Sequence, residues 1–279
     1  MIKKKKKILV NDHLFKKENF FRYDLYKKKY EIVFNKLNRS LKNIDLIKIL
    51  KKNPEVEGVI AGLEKYNFET LKNNKHLKAI SRVGVGLDSL DLNYLRSKKI
   101  KVFKLTNELT DSVAELYVVL ILSILRKIIV NYNSLKKGNW KPIIGNNLKN
   151  KKIGIIGFGK VGKKIFKLLK IFNCKFFVYE KNKIYNKNIK QSSLKKIFSN
   201  CDIVCISISL NRNTNKIINY DILKNANKNI IIINASRGGV INENTLLSFL
   251  KKNKNASAFL DCFTVEPYKG DLIKKKNVF

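Results

Sequence analysis

Three glycines separate a short apolar run from an amphipathic run in the middle of the chain, in the segment KIGIIGFGKVG at Lys152–Gly162. A strand that turns sharply into a helix uses this spacing. Gly157 makes the turn, Gly159 lets a pyrophosphate approach the backbone, and Gly162 lets the helix lie close to the strand. The free N–H groups at the start of such a helix bind anions. The segment therefore predicts a strand–turn–helix unit of a parallel sheet that binds a dinucleotide.

The next predicted strand ends at an acidic residue, Glu180, 18 residues after Gly162. An acidic residue at about this distance accepts hydrogen bonds from the adenosine ribose hydroxyls in dinucleotide-binding folds. A carboxylate there repels a 2′-phosphate, so NAD is expected rather than NADP. Two alternatives stay open: Glu180 only caps the strand edge, or Lys181 or Lys183 pairs with a 2′-phosphate.

The remaining sequence alternates short apolar runs with longer amphipathic ones, which is typical of βαβ units and a parallel sheet. In the first part, strands are predicted at Lys7–Val10, Val56–Ala61, Leu77–Val83 and Ile100–Leu105, and helices at Leu41–Lys52 and Asp91–Lys98. In the second part, strands are predicted at Lys152–Ile156, Lys175–Tyr179, Ile203–Ser209, Ile230–Asn234 and Ala256–Phe263, and helices at Lys160–Phe172, Ser192–Phe198, Thr214–Asn225 and Asn242–Lys252, the last with Asn242 as N-cap. We therefore expect two doubly wound, parallel-sheet α/β domains, at residues 1–106 and 107–279.

One further helix is predicted at Ser112–Tyr132, and it is apolar on most of its circumference. Such a helix has to be buried on several sides. We expect it at a domain seam or against a second subunit, and a fully internal core helix is the alternative.

The charge of the chain is strongly positive: 59 lysines and arginines stand against 21 acidic residues, a formal net charge of +38. Such a charge raises nucleic acid or an anionic membrane as a partner. The lysines are spread through every segment, however, whereas dedicated phosphate readers rely on the planar fork of arginine. We therefore expect a solvated lysine-rich surface, with no nucleic-acid and no membrane partner. A nucleic-acid-binding module, which would bind duplexes with steep salt dependence, is kept as an alternative.

Cysteines and histidines are few and irregularly spaced. The only histidines are His13 and His76, so no metal site is expected. Buried reduced thiols are expected rather than disulfides or ligands at Cys174, Cys201, Cys205 and Cys262. The lysine run Lys3–Lys7 is not followed by the apolar stretch of a signal peptide. The longest apolar stretch, Leu116–Leu125, is too short to span a bilayer, so we expect a soluble, cytoplasmic protein.

Several segments together resemble the D-isomer-specific 2-hydroxyacid dehydrogenases, in the family's order and over nearly the whole chain. Besides the glycine loop they are LKAISRVGVGLDSLDL at Leu77–Leu92, TDSVAELYVVLILSILR at Thr110–Arg126, INASRGGVINENTLL at Ile233–Leu247 and AFLDCFTVEPYKGDL at Ala258–Leu272. Within the family, the segments VIAGLEKYN, ISRVGVGLDSLDL and EPYKGDL are most similar to the short phosphoglycerate dehydrogenases. The resemblance implies a flavodoxin-like substrate domain, then a Rossmann NAD-binding domain, with a cleft between them.

The resemblance also implies an activity, the oxidation of the C2 hydroxyl of a D-2-hydroxy acid by NAD. The substrate it favours is 3-phosphoglycerate, which would place the enzyme in serine biosynthesis. A hydroxypyruvate or glyoxylate reductase is one alternative, and a non-catalytic NAD-binding protein of the same fold is another. The family uses the apolar helix described above as a homodimer seam, so a homodimer is expected.

Residue roles follow from the resemblance, position by position. Arg237 matches the arginine that holds the substrate carboxylate and carbonyl, and Glu266 matches the acid that orients the catalytic histidine. Without the surrounding motif, Arg237 could equally be a solvated loop arginine. The positions that match cofactor contacts are Gly157, Gly159, Lys160, Val161, Gly162, Glu180, Ala235, Ser236 and Asp261.

Three residues of the first domain match substrate contacts. The main-chain amides of Val83 and Gly84 match those that bind the substrate carboxylate, which suits a glycine-rich loop. Arg82 is the candidate for a substrate phosphate. The alternative for Arg82 is an ordinary ion pair with an acid such as Asp88.

The sequence departs from the family pattern at its catalytic histidine, which lies in a Pro-His pair after the Glu-Pro motif. No histidine follows His76, and the last residue, Phe279, falls inside a predicted strand. Loss of a general acid–base group costs about 10²–10⁴ in rate, so we expect poor turnover even with NAD bound. A fragment of an ordinary dehydrogenase is the favoured interpretation, and a natural short form that binds NAD without turnover is the alternative.

Overall fold

The structure is a computed structural model that describes residues 5–20, 22–37, 39–105 and 109–279. It divides the chain into two compact units, Met1–Leu109 and Thr110–Phe279. Each unit contains one sheet in which the paired strands run parallel, as the alternating pattern predicts. Among the described residues, none of the helices combines the length and the apolarity that crossing a bilayer requires.

The first unit contains a five-stranded sheet with the order β2-β1-β3-β4-β5, the flavodoxin-like order that the resemblance implies. Its strands are β1 (Lys6–Val10), β2 (Tyr30–Phe34), β3 (Val56–Ala61), β4 (Ala79–Arg82) and β5 (Lys101–Lys104), and its helices are α1 (Tyr23–Lys29), α2 (Asn43–Lys52), α3 (Phe68–Leu71) and α4 (Leu92–Ser97). Leu46 and Leu50, four residues apart on α2, lie on the same face of that helix and pack into the core with Leu9 of β1.

The second unit contains a six-stranded sheet with the order β11-β10-β9-β6-β7-β8. Its strands are β6 (Lys152–Ile156), β7 (Lys175–Tyr179), β8 (Ile189–Gln191), β9 (Ile203–Ile206), β10 (Ile231–Asn234) and β11 (Ser257–Leu260), and its α-helices are α5 (Thr110–Leu125), α6 (Ile128–Lys136), α7 (Lys160–Leu169), α8 (Leu194–Asn200), α9 (Tyr220–Leu223) and α10 (Glu243–Lys252). The strand order reverses between β6 and β9. In open parallel sheets, ligands bind at the carboxyl ends of the strands at such a switch point.

Both faces of this second sheet are buried. Along β9, Ile203 and Cys205 pack into one core cluster, and Val204 and Ile206 pack into the other. Because successive strand residues point to opposite faces, an all-apolar run is what a doubly covered parallel strand requires. The predicted doubly wound arrangement is confirmed for this unit.

All four cysteines are free thiols, and burial raises the pKa of Cys201 to about 12.

The predicted helix Ser112–Tyr132 is wrong as a single element. The chain forms α5, then breaks at Lys127, which has a left-handed φ of 56°, and continues as α6. A hydrogen bond from outside the helix stabilises this break, because the Asn146 N–H donates to the Leu125 carbonyl at 2.8 Å. The segment after α6 thus satisfies a helix-end carbonyl that a continuous helix would have used.

The predicted helix Thr214–Asn225 is also wrong over its first half, since α9 spans only Tyr220–Leu223. Thr214 closes a turn instead, with its hydroxyl donating to the Ser209 carbonyl at 2.7 Å and accepting from the Asn211 N–H at 2.8 Å. Ile218 then pairs with Ile241 in an isolated bridge, which extended backbone allows and helical backbone does not.

Other elements agree with the sequence to within a few residues. Asn242 caps α10 as predicted, accepting from the Thr245 N–H at 3.1 Å. Four elements are not predicted by the sequence pattern: the strands β2 and β8, which lie at sheet edges, and the short helices α1 and α3.

Candidate functional site

Four strands of the second unit end side by side at one edge of the sheet. Their last residues are in register: Ile156 of β6 with Ile206 of β9, Ile206 with Asn234 of β10, and Asn234 with Leu260 of β11. The segments that follow β6, β10 and β11 contain the predicted site residues of this unit, apart from Glu180. Glu180 follows Tyr179, the last residue of the next strand, β7.

The glycine loop after β6 is built by close backbone contacts. Gly157 has φ of 89°, a left-handed conformation that glycine adopts without strain, and its N–H donates to the Tyr179 carbonyl at 2.9 Å. The Ser207 hydroxyl donates to the Gly157 carbonyl at 2.8 Å. A Cβ on Gly162 would overlap that same carbonyl oxygen. Helix α7 is therefore seated directly against the turn.

Gly159 differs from its neighbours because the space around it is open. Among the described residues, no heavy atom outside its immediate chain neighbours lies within 4 Å of the place a Cβ would take. Gly159 is the N-cap of α7, whose first residues are Lys160 and Val161. The first turn of a helix directs N–H groups out of the helix end. An open backbone beside such a helix end fits the diphosphate of a dinucleotide.

The carboxylate of Glu180 lies against this loop. Its Oε2 accepts from the Phe158 N–H and its Oε1 accepts from the Lys181 N–H, both at 2.8 Å. Each carboxylate oxygen has a further lone pair, so the group can still accept from ribose hydroxyls. Lys183, one candidate partner for a 2′-phosphate, places its ammonium over the Tyr185 ring, 5.2 Å from the ring centre.

The segment after β10 is held by a buried asparagine that the sequence analysis did not single out. Asn234 is 1% exposed. Its Oδ1 accepts from the N–H and the hydroxyl of Ser236 at 3.1 and 2.8 Å, and its Nδ2 donates to the Arg237 carbonyl at 3.0 Å. The half-buried Arg237 guanidinium donates to the Ser236 carbonyl at 2.7 Å. Asparagine and serine at the end of an apolar strand are a turn signal that could have identified Asn234.

Tyr117 on α5 also contacts this segment. Its hydroxyl donates to the Ile206 carbonyl and accepts from the Ala235 N–H at 3.0 Å. The side chain is fully buried, and burial raises the pKa of its phenol well above the ordinary value. No pattern in the sequence indicates this role, because Tyr117 is one more large residue in an apolar helix.

The segment after β11 carries two carboxylates, at Asp261 and Glu266. The Asp261 N–H donates to the Asn234 carbonyl at 3.0 Å, and Glu266 Oε1 accepts from the Phe263 N–H at 2.9 Å. Partial desolvation, and then the nearby Glu266 charge, raise the pKa of Asp261. Burial and both carboxylates raise the pKa of Cys262 to about 12, although Arg237 acts in the opposite direction. Cys262 is therefore a thiol and not a nucleophile at neutral pH.

In the first unit, Arg82, Val83 and Gly84 lie together at the end of β4. Arg82 is 6% exposed, and its guanidinium donates to the carbonyls of Ala61 and Val83. The Val83 N–H donates to the Ala61 carbonyl at 3.0 Å, and the Gly84 N–H donates to the Arg82 carbonyl at 2.9 Å. Substrate binding by the Val83 and Gly84 amides stays a prediction. It would require the two backbone hydrogen bonds that these amides donate to break.

A buried carboxyl, Glu64, lies near the same edge of the first sheet. Glu64 is 3% exposed, and its Oε1 accepts from the Leu41 N–H at 3.3 Å. Its Oε2 is buried without a hydrogen-bond partner in the part of the chain that the structure describes. Burial raises the pKa of Glu64, although hydrogen bonds from backbone N–H groups, including that of Leu41, act in the opposite direction.

Glu64→Gln is expected to stabilise the protein only where Glu64 would be ionised. A carboxyl with a raised pKa binds its proton more tightly when folded, so its contribution is favourable at low pH and is lost as pH rises. The difference in unfolding free energy between the variant and the parent should be near zero at pH 4 and on the order of 1 kcal/mol by pH 8. Urea titrations across this range would measure it.

Glu57→Gln is the matched control. Glu57 pairs with Lys78 at 2.7 Å, and that bond lowers the pKa of Glu57. Its stabilisation is present above the unfolded pKa and is lost as pH falls, so the control should show the opposite slope with pH. A stability difference for the Glu64 variant that does not change with pH would contradict the prediction.

Comparison with known proteins identifies the family of both units. Residues 13–119 match the model of the D-isomer specific 2-hydroxyacid dehydrogenase catalytic domain, and residues 118–279 match the model of the NAD binding domain of the same family. The second match confirms NAD as the cofactor. The glycine loop and Glu180, as described above, fit its diphosphate and adenosine ribose.

Individual relatives carry different substrate names. A hydroxypyruvate reductase of Thermotoga maritima is 31% identical over 257 residues, which cover 90% of this chain and 84% of that protein. A D-3-phosphoglycerate dehydrogenase of Archaeoglobus fulgidus is 29% identical over 239 residues, 82% of this chain and 45% of that protein. A solved glyoxylate reductase from Paecilomyes thermophila shares the fold, with a TM-score of 0.84 and 19% identity over 99% of this chain and 87% of that chain. The chain therefore belongs to the D-isomer specific 2-hydroxyacid dehydrogenase family, whose members are NAD-dependent enzymes.

Proposed function

We propose that the chain interconverts a short, unphosphorylated D-2-hydroxy acid and its 2-oxo acid, at the carboxyl edge of the second sheet. The observation that carries this proposal is that the open glycine loop, Glu180, Arg237 and two carboxylates all follow the carboxyl ends of strands in one parallel sheet, namely β6, β7, β10 and β11. When bound, NAD supplies the hydride acceptor for oxidation, and NADH supplies the hydride for reduction.

The cofactor roles divide between two groups of residues. The open backbone at Gly159 and the first turn of α7, at Lys160 and Val161, hold the diphosphate, and Glu180 holds the adenosine ribose. The nicotinamide half is assigned to the segments after β10 and β11, at Ala235, Ser236 and Asp261. The hydrogen bonds of Asn234 and Tyr117 keep the first of these segments in place and so support the assignment.

Arg237 is assigned to the substrate. Its planar guanidinium can bind the carboxylate and the C2 oxygen together and stabilise the negative charge that develops on that oxygen during reduction. Glu266 is assigned to orient the proton-carrying group, which in the family is a histidine; no histidine follows His76 in this sequence. A carboxylate beside a basic group raises the proton affinity of that group, because its negative charge stabilises the protonated cation.

The burial of Arg82 favours an unphosphorylated substrate such as glyoxylate or hydroxypyruvate. Arg82 is the residue that the sequence assigns to a substrate phosphate, and its guanidinium donates to two backbone carbonyls. The second candidate is 3-phosphoglycerate, which would place the enzyme in serine biosynthesis. The D-3-phosphoglycerate dehydrogenase relatives support this second candidate.

The test combines binding with turnover on the purified chain. NADH should bind at least tenfold more tightly than NADPH, because Glu180 repels the 2′-phosphate. Oxidation of NADH should be faster with glyoxylate or hydroxypyruvate than with 3-phosphohydroxypyruvate at equal concentration. A preference for the phosphorylated acid would support the second candidate, and NADH binding with none of the three acids turned over would contradict the proposed reaction for this chain.

We also infer a homodimer, for which α6 and the segment after it supply the surface. Buried residues of α5 face its own unit, whereas α6 has none. The large apolar residues exposed on α6 and just beyond it include Ile128, Tyr132, Leu135, Trp140 and Ile144. A sedimenting mass of twice 32.3 kDa is expected, and a mass of one chain would contradict it.

The four free thiols support a cytoplasmic location.

A further inference from the structure

The hydroxyl of Tyr117 is an unusual feature of the buried face of α5. The other buried residues of this helix are apolar, namely Ala114, Leu120, Ile121, Ile124 and Leu125. Packing alone would be served by another apolar side chain. The hydroxyl instead joins the end of β9, through the Ile206 carbonyl, to the first residue after β10, through the Ala235 N–H at 3.0 Å.

The hydrogen bond from the Ala235 N–H to the Tyr117 hydroxyl holds the start of the segment after β10 against α5. The next two residues are held by Asn234, which binds the Ser236 N–H and the Arg237 carbonyl. If the hydroxyl is removed, the Ala235 N–H loses the acceptor that the structure gives it. An N–H without an acceptor in a half-buried place is costly, so the segment would shift to find water.

Helix α5 also contacts α7, the helix whose first turn is assigned to the diphosphate. Asp111 on α5 pairs with Lys164 on α7 at 2.9 Å. Tyr117 packs in one core cluster with Ile165 and Phe166 of α7. Helix α5 thus contacts both ends of the assigned cofactor site. One contact is with α7, which starts beside the open backbone of Gly159, and the other is with the segment that starts at Ala235.

We infer that Tyr117 is a positioning residue for the nicotinamide half of the cofactor site. The inference rests on the proposed function of Ala235 and Ser236. The hydroxyl sets the distance between the segment after β10 and the diphosphate end of the site, so that one bound dinucleotide can contact both. Tyr117 itself touches neither cofactor nor substrate in this assignment.

Tyr117→Phe keeps the ring and its burial and removes only the hydroxyl. The variant should bind NADH about tenfold more weakly than the parent chain. It should bind ADP as the parent does, because ADP lacks the nicotinamide and its ribose. A merely structural loss would weaken both ligands together or neither. Calorimetric titration of the full chain with each ligand gives both affinities.

Tyr66→Phe is the matched control. Tyr66 is fully buried in the first unit, and its hydroxyl accepts from Asn11 Nδ2 at 2.8 Å. The control loses a comparable buried hydrogen bond, and its affinities for NADH and ADP should both stay at the parent values. Melting curves of the two variants then show how much of any change is general destabilisation.

The outcomes separate this inference from the proposed function. Parent-like NADH binding by Tyr117→Phe overturns the inference and leaves the proposed function intact, whereas a parent chain that binds no NADH overturns both. Hydrogen exchange of the parent provides a test that needs no variant. The Ala235 amide should exchange slowly, ADP should leave its rate unchanged, and NADH should slow it further. Fast exchange of the Ala235 amide in the parent chain would overturn the inference.

Discussion

Gly162→Ala is expected to lower the free energy of unfolding by about 2–3 kcal/mol, whereas Gly159→Ala should leave it unchanged. A methyl group on Gly162 would overlap the Gly157 carbonyl oxygen, which is backbone and is also fixed by the Ser207 hydroxyl. A methyl group on Gly159 meets no heavy atom within 4 Å among the described residues. The two glycines stand three residues apart, one at the N-cap and one in the first turn of α7, so the pair isolates the contact.

At Gly159, the substitution should weaken cofactor binding although it leaves stability unchanged. The space that is open in the free protein is the space assigned to the diphosphate, so Gly159→Ala should bind NADH at least tenfold more weakly while its unfolding curve matches the parent. Urea denaturation and NADH titration of both variants measure the two effects. A parent-like unfolding curve for Gly162→Ala, or parent-like NADH binding by Gly159→Ala, would contradict this account of the loop.

The parts of the site that could be predicted from sequence are those that depend on local chain geometry. The turn at Gly157, the close contact at Gly162 and the acidic end of β7 at Glu180 follow from a spacing that any strand–turn–helix unit needs. The structure bears out these placements, with Glu180 bound to the Phe158 N–H. Here a few consecutive residues determine the backbone, so the pattern carries the information.

Contacts between distant segments of the chain leave no such pattern in the sequence. Tyr117 and Ala235 are 118 residues apart, and a hydroxyl in an apolar helix does not reveal which N–H it will accept. The break between α5 and α6 is of the same kind, because it depends on the Asn146 N–H reaching the Leu125 carbonyl. Tertiary hydrogen bonds decided both features, against a local preference for uninterrupted apolar helix.

The errors at β2 and β8 have a different cause. Both lie at an edge of their sheet, where one side of the strand has no neighbour in the sheet. Edge strands tend to be short and to carry charged residues, which blunts pairing with other chains. Tyr30–Phe34 includes Glu31, and Ile189–Gln191 is three residues long with Lys190 at its centre.

Gly238→Ala is expected to damage the substrate side of the site most. Gly238 directly follows Arg237, and a Cβ there would overlap the backbone of Phe263. Phe263 is held in place, since its ring stacks on Tyr268 at 4.1 Å and its N–H donates to Glu266. The alanine must therefore push the whole segment that carries Asp261 and Glu266 away from Arg237. We expect a loss of about 2–3 kcal/mol in unfolding free energy.

Gly239→Ala is the control one residue further on. A Cβ on Gly239 would meet the Leu210 Cδ2 at 3.1 Å, and this is the end of a flexible side chain that can turn aside. Its unfolding free energy should stay within about 0.5 kcal/mol of the parent. The binding measurement uses oxalate, a planar dicarboxylate that resembles a 2-oxo acid, added to the chain saturated with NADH. Gly238→Ala should bind oxalate at least tenfold more weakly than Gly239→Ala. Equal oxalate affinities in the two variants would mean that the spacing between Arg237 and the segment after β11 does not set the substrate site.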